Sequence, residues 1–142
     1  MNNLIEELKN SIIVSCQSEG DDPFNENPEY MALFARAAEK GGAKGIRTQG
    51  IEKIKAIKRA VCLPIIGLLK SKYEDGTVLI TGSFNEVEQL ISAGCDIIAI
   101  DGTFRTREGL TGPSFIKEVK KNYGCIVLAD IATYKKAIAC EK

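Results

Sequence analysis

A chain without histidine must carry out any proton chemistry near neutral pH with Lys, Glu, Asp, Tyr or Cys. Five polar side chains stand where such chemistry would be placed, each at or near the end of a short apolar run: Gln17, Arg47, Lys70, Asp101 and Asp130. Lys70 closes Pro64-Ile65-Ile66-Gly67-Leu68-Leu69-Lys70, which delivers an amine at the mouth of an otherwise apolar segment. Partial burial in such a place makes an amine a useful general base. The alternative is that a strand leaving a core simply ends on a polar residue. Arg47 follows Gly45-Ile46, and its guanidinium could hold an anion or an electron-rich carbonyl oxygen by paired hydrogen bonds. It could equally bridge to Asp101 or Asp130. The neutral Gln17 amide can bond hydroxyls or a carbonyl without changing the charge of a site. Asp101 and Asp130 could accept from hydroxyls or orient Lys70, or else cap the next helix or brace the mouth.

Two further features lie beside this set. Cys16 precedes Gln17 and either lines the same pocket or packs as a small hydrophobe. Arg105, Arg107 and Gly109 fall in segment 104–112, which reads as a mobile basic lid or as a solvated loop.

The elements that must position these residues follow from hydrophobic periodicity. Runs 12–17, 45–49, 64–70, 96–101 and 126–131 are nearly continuous in apolar character, as strands buried on both faces are. Between them, helical stripes recur at Met31/Phe34/Ala35/Ala38, Ile51/Ile54/Ile57/Val61, Val87/Leu90/Ile91, Phe115/Val119/Tyr123 and Tyr134/Ala137/Ile138. Ser83 with Glu86 predicts a capping box, Pro28 and Pro113 suit first turns, and Gly41-Gly42, Gly94 and Gly124 suit helix ends. Leu4, Ile5 and Leu8 predict a short leading helix able to cover one end of a sheet, and 78–81 a small extra strand. Strict strand–helix alternation implies a parallel sheet with right-handed crossovers.

Composition narrows the class. Nineteen basic and nineteen acidic residues cancel, 44% of the chain is hydrophobic, and 142 residues fit a single α/β domain. The neutral balance argues against nucleic acid, and no window has the roughly 18 apolar residues of a membrane span. Five cysteines with no C-x-x-C pair argue against a zinc site or a disulfide framework. They read as core residues of a reduced, cytoplasmic protein. Five strands permit an open flavodoxin-like sheet or part of a (β/α)8 barrel, and both place ligands at the carboxyl ends of the strands.

The strand-end segments, taken in order, resemble those of the bacterial N-acetylmannosamine-6-phosphate 2-epimerases. The likeness is carried by Ile13-Val14-Ser15-Cys16-Gln17, Gly45-Ile46-Arg47-Thr48-Gln49-Gly50, Leu63 to Lys70, Ile97-Ile98-Ala99-Ile100-Asp101 and Leu128-Ala129-Asp130-Ile131. Val78-Leu79-Ile80-Thr81 is also similar, with Gly82 where a proline is usual. The resemblance implies a TIM-type (β/α)8 barrel of which residues 1–142 form an N-terminal portion of about five β/α units. It also implies a metal- and cofactor-independent epimerisation at C2 of a phosphosugar, in sialic acid and amino-sugar catabolism. Lys70 would transfer the proton, Gln17, Arg47 and Asp130 would contact the sugar, and Asp101 would lie near the sugar or its supporting shell. Similar proteins continue for roughly three more strand–helix units, so the chain by itself is expected to show little or no activity unless self-association, such as a homodimer, completes the barrel. Two other readings stay open: a phosphosugar isomerase or aldolase using Lys70 as a Schiff base, and a non-catalytic flavodoxin-like regulatory domain.

Overall fold

The computed structural model describes residues 2–72 and 77–141; Met1, residues 73–76 and Lys142 lie outside the described residues. Along the chain come α1 (Asn2–Leu8), β1 (Ile13–Ser15), a 3-10 turn (Pro23–Asn25), α2 (Pro28–Lys40), β2 (Gly45–Gln49), α3 (Ile51–Ala60) and β3 (Ile65–Leu68). A hairpin of β4 (Lys70–Lys72) and β5 (Val78–Ile80) precedes α4 (Phe84–Ser92), β6 (Ile97–Asp101), α5 (Gly112–Tyr123), β7 (Ile126–Asp130) and α6 (Tyr134–Glu141).

The main sheet runs β1-β2-β3-β6-β7, parallel throughout, so spatial order follows chain order with no reversal. A doubly wound sheet reverses its order at a switch point, whereas barrel strands are laid down consecutively. The strand order therefore decides for the barrel. The sheet is an incomplete (β/α) barrel of five units, with helices against one face and a concave face opposite.

Alternation along each strand sorts the side chains. Ile46, Ile65, Ile98 and Ile100 point outward into the core shared with Ile54 and Ile57 of α3, Leu90 of α4 and Phe115 of α5. Ile66, Leu68, Ile97 and Ala99 point inward, packed against Leu4 and Leu8 of α1, Ile80 of β5, and Ile126 and Leu128 of β7. The leading helix thus covers the amino-terminal end of the concave face, as its apolar spacing predicts. The central strands β3 and β6 are buried at every position, but β1 and β7 are only partly covered because each forms an edge.

Local signals account for most helix boundaries. Asn27 caps α2 by accepting from Glu29 N–H, with Pro28 in the first turn. Ser83 and Glu86 form the reciprocal capping box of α4, and Gly124 ends α5 in the left-handed region at φ 62°. Gly82 N–H donates to Glu86 at 2.7 Å, a bond that a proline there could not make. At Gly67 an added Cβ would lie 2.2 Å from Cys95 Sγ, so β3 and the Cys95 turn approach closely only because no side chain intervenes.

Four expectations need correction. Phe34 (46% exposed) and Ile91 (37%) lie off the buried stripes of their helices. The Tyr134 stripe is not buried, since α6 follows the edge strand β7 and packs mainly against α5. Cys62 is exposed rather than in the core, although Cys16 is buried and all five cysteines are free. Run 64–70 is not one strand: β3 stops at Leu68 and Lys70 opens β4. The break arises where Leu69 and Thr81 bond across the hairpin base, Thr81 N–H to the Leu69 carbonyl at 2.8 Å, with Thr81 at φ 50°.

Candidate functional site

Inward-facing positions at the carboxyl ends of the strands collect the polar residues. Arg47 and Gln49 extend the inward row of β2, and Ser15, the register partner of Arg47, does so for β1. Asp101 and Asp130 are the last residues of β6 and β7 and pair directly in the ladder. Gln17 lies two residues past β1, with its amide donating to Ser15 Oγ at 2.7 Å.

Arg47 reaches across this face to Asp130 with two parallel bonds, Nη1 to Oδ1 at 2.9 Å and Nη2 to Oδ2 at 2.5 Å. Strands β2 and β7 stand three places apart, a span of about 14 Å along a flat sheet at ~4.8 Å per step. A direct side-chain pair over that span requires concave curvature, so the ion pair is a chord across the barrel mouth. Both groups retain solvent contact, with side chains 23% and 38% exposed.

A second pair bridges the rim between β1 and β3. Lys70 donates to a Glu19 carboxylate oxygen. Its ammonium is therefore held by a carboxylate from the β1–α2 loop, where sequence reasoning placed it in partial burial at the end of a strand. The loop is anchored beneath this pair, since Gln49 Nε2 and Lys53 Nζ both donate to the Ser18 carbonyl, at 3.0 and 2.9 Å.

Asp101 serves the segment that follows it. Its Oδ1 accepts from Thr103 N–H at 2.7 Å, its Oδ2 from Arg105 at 3.2 Å, and Arg107 stands 3.7 Å away. Burial raises the Asp101 carboxyl pKa, but hydrogen bonds from Thr103 and the charges of Arg107 and Arg105 outweigh it and hold the group below the usual carboxylate range. Each adjacent carboxylate thus has its own arginine, which offsets the repulsion of like charges side by side. Arg107 is 2% exposed and donates to the carbonyls of Asp101, Thr103 and Arg105. Segment 104–112 is accordingly not a free basic lid: Arg107 and Leu110 exchange backbone bonds around a turn at Glu108 and Gly109, and the Arg107 charge points inward while the Arg105 side chain stays half-exposed.

Of the other candidates, Cys16 is buried with its thiol pKa raised by burial, so it stays a thiol at neutral pH. Among the described residues no group of three or more Cys, Asp or Glu could hold a metal ion. No described helix is long and apolar enough to cross a membrane. Two cavities border the sheet, the first beside the mouth and the second at the opposite, amino-terminal end. One of about 350 Å³ lies between β1 and α2 against Phe24, Met31 and Phe34, and one of about 460 Å³ lies between α1 and the concave face.

Sequence reasoning brought Gln17, Arg47, Lys70, Asp101 and Asp130 to one edge and missed Glu19, Gln49 and Lys53. Gln49 carried a readable signal, since it shares the inward row of Arg47 at spacing two. Lys53 shares a helix face with Ile57 at spacing four, which could have marked it as buried.

Comparison with known proteins covers nearly the whole chain. A family profile described as "Putative N-acetylmannosamine-6-phosphate epimerase" matches residues 31–142. The curated "Putative N-acetylmannosamine-6-phosphate 2-epimerase" of Caldanaerobacter subterraneus subsp. tengcongensis is 46% identical over 141 residues, covering 98% of this chain and 59% of the relative. That of Clostridioides difficile is 41% identical over 140 residues, covering 98% and 62%. The chain therefore spans about three fifths of the length of these relatives. The solved N-acetylmannosamine-6-phosphate 2-epimerase of Clostridium perfringens superposes with a TM-score of 0.88 at 35% identity, over 98% of this chain and 60% of that one. A phosphonomutase-like structure from Burkholderia cenocepacia, at 17% identity and a TM-score of 0.64, covers 92% of this chain and 58% of its own, and shares the fold alone.

Proposed function

Because the chain belongs to the N-acetylmannosamine-6-phosphate epimerase family, we propose that its concave mouth takes part in inverting C2 of N-acetylmannosamine 6-phosphate to give N-acetylglucosamine 6-phosphate. The observation that supports this most directly is that Gln17, Arg47, Lys70 and Asp130 lie along one curved edge, where Arg47 pairs with Asp130 across three strand places and Lys70 pairs with Glu19 of the β1–α2 loop.

The reaction needs an open-chain sugar whose C1 carbonyl acidifies the proton on C2. Lys70, once its ammonium has passed a proton to the Glu19 carboxylate it meets, takes the C2 proton as a neutral amine, the C2–H electron pair moves into the C1–C2 bond, and the carbonyl oxygen gains the negative charge. The Lys70 ammonium so formed returns its proton to the opposite face of C2, which restores the carbonyl and leaves the epimer with Lys70 neutral again and no net change in atoms or electrons. Gln17 and Arg47 supply donors to sugar oxygens, including the one on which charge develops, and Asp130 accepts from sugar hydroxyls while keeping the Arg47 plane fixed. Asp101 braces the β6–α5 segment beside them. We place this activity in the cytoplasm, in amino-sugar breakdown of the kind that follows sialic acid release.

An open five-stranded sheet supplies only part of a barrel mouth, so turnover is expected where association adds further strands, a homodimer among them. The test is proton NMR of N-acetylmannosamine 6-phosphate with size-separated fractions of the protein and of Lys70→Ala. Product formation in associated fractions that disappears in Lys70→Ala is expected. Turnover that survives Lys70→Ala would overturn the role of Lys70, and turnover in the monomer fraction would overturn the need for association.

A further inference from the structure

Lys53 is a buried cation outside the set of strand-end residues. The residue is 8% exposed, and its Nζ donates to the Ser18 carbonyl at 2.9 Å and to Asn25 Oδ1 at 2.5 Å. Burial lowers its pKa, and Lys70 acts in the same direction against the opposing influence of Glu19 and Asp22. Withdrawing an ammonium from water is costly unless its hydrogen bonds are made, and here both go to the β1–α2 loop. Ser18, at 3% exposure, sits between Gln17 and Glu19.

The loop needs such an anchor. The Glu19 side chain is 56% exposed and that of Lys70 31%, and exposed ion pairs contribute too little to fix a backbone. The next residue, Gly20, lies at φ 57°, and its carbonyl accepts from Asn25 Nδ2 at 3.2 Å, the side chain whose Oδ1 Lys53 holds. The placement of Glu19 is therefore set from both sides, through the Ser18 carbonyl, where Gln49 and Lys53 converge, and through Asn25 at Gly20.

We propose that Lys53 is a positioning residue: by fixing the Ser18 carbonyl and Asn25, it sets the β1–α2 loop so that Glu19 meets Lys70 and holds its ammonium at the mouth. The catalytic meaning rests on reading Lys70 as the proton carrier, but the geometry can be tested without turnover.

A water-soluble carbodiimide joins a carboxylate to an amine in contact with it, with loss of one water, and peptide mass spectrometry identifies the link. The Lys58–Asp96 pair, at 3.0 Å and remote from the mouth, is the internal control. In the unaltered protein both the Glu19–Lys70 and the Asp96–Lys58 links are expected. In Lys53→Met the Glu19–Lys70 yield is expected to fall about ten-fold, as for loss of a hydrogen bond to a charged group, with the control unchanged. Ser18 keeps the Gln49 bond in that variant, and Lys53→Arg, which retains a donor, is expected to restore the yield.

A Glu19–Lys70 yield unchanged in Lys53→Met, or no such link in the unaltered protein, would overturn the proposal. If Lys53→Met loses the control link as well, the fold has failed and Asn25→Ala decides. A selective fall there supports the proposal and an unchanged yield rejects it. Failure of the Lys70 reading would appear separately, as turnover that survives Lys70→Ala while the link remains dependent on Lys53.

Discussion

The two faces of the same five-stranded sheet are built to different ends. On the helix side, Ile46, Ile54, Ile57, Leu90 and Phe115 are all at 0% exposure and form one continuous core. On the concave side a short apolar layer around Ile66, Leu68, Ile97 and Ala99 gives way to a cavity of about 460 Å³ at one end and to charged pairs at the other. Apolar burial is concentrated where packing is closed, and charged pairs collect where it is open. The same alternation along each strand feeds both, so neighbouring residues of β2, Ile46 and Arg47, serve opposite purposes.

This contrast can be broken most forcefully by truncation to alanine on each of the two faces. Phe115→Ala on the closed face is expected to cost about 3–5 kcal/mol, enough to unfold much of the population, as measured by urea denaturation. Leu128→Ala on the concave face is expected to cost less than about 2 kcal/mol, since the side chain is only partly buried and already borders space. Equal losses would show that the concave face is as tightly packed as the other.

A steric test of the closed face comes next. Gly67→Ala places a Cβ against Cys95 Sγ and Ile54 Cδ1 and is expected to destabilise by about 1–3 kcal/mol. Cys95→Ala should relieve part of that cost, so the double variant should be more stable than the sum of the single effects predicts. Strict additivity would mean that the strain is released elsewhere. The Cys95 thiol itself is pushed up to about 12 by burial and the nearby Asp96 charge, so its role is packing and not reactivity.

The open face is more sensitive to charge than to volume. The folded-state pKa of Asp101 is lowered, so its contribution to stability is fully present above the ordinary carboxylate range. That contribution is lost as pH falls through the lowered value. Asp101→Asn should therefore flatten the acid side of the stability–pH curve relative to the unaltered protein, as followed by circular dichroism at fixed temperature. An unchanged acid slope would contradict this. The smallest effect on stability is expected at Asp130→Asn, about 1 kcal/mol or less for a partly exposed pair, with a disproportionate loss of sugar binding. Loss of stability without loss of binding would make the Arg47–Asp130 pair a brace only.

Much of this arrangement was legible before any coordinates. The five apolar runs give the strands, and the capping box at Ser83 and Glu86, Pro28 and Gly124 place helix ends to within a residue or so. Local signals fail where the deciding contact is distant in sequence. Glu19 and Lys70 are 51 residues apart and Arg47 and Asp130 are 83 apart, and no periodicity encodes which cation meets which carboxylate. The sequence run carries Lys70 as the last residue of one strand and not the first of β4, because Leu68-Leu69 continues the apolar run through a hairpin base that only Thr81, on the far side, defines. Arg107 read as a surface charge because its partners are mainly backbone carbonyls, which leave no mark in the sequence. The choice between open sheet and barrel needed the strand order, a property of pairing and not of composition.

The central claim is that the concave mouth, and not the neighbouring groove between β1 and α2, receives the sugar phosphate. Titration of the isotope-labelled protein with N-acetylmannosamine 6-phosphate, followed by backbone amide NMR, tests it directly. The largest shifts are predicted at Arg47, Lys70 and Asp130, with Gln17 bordering both places; shifts centred instead on Phe24, Met31 and Phe34 would contradict it.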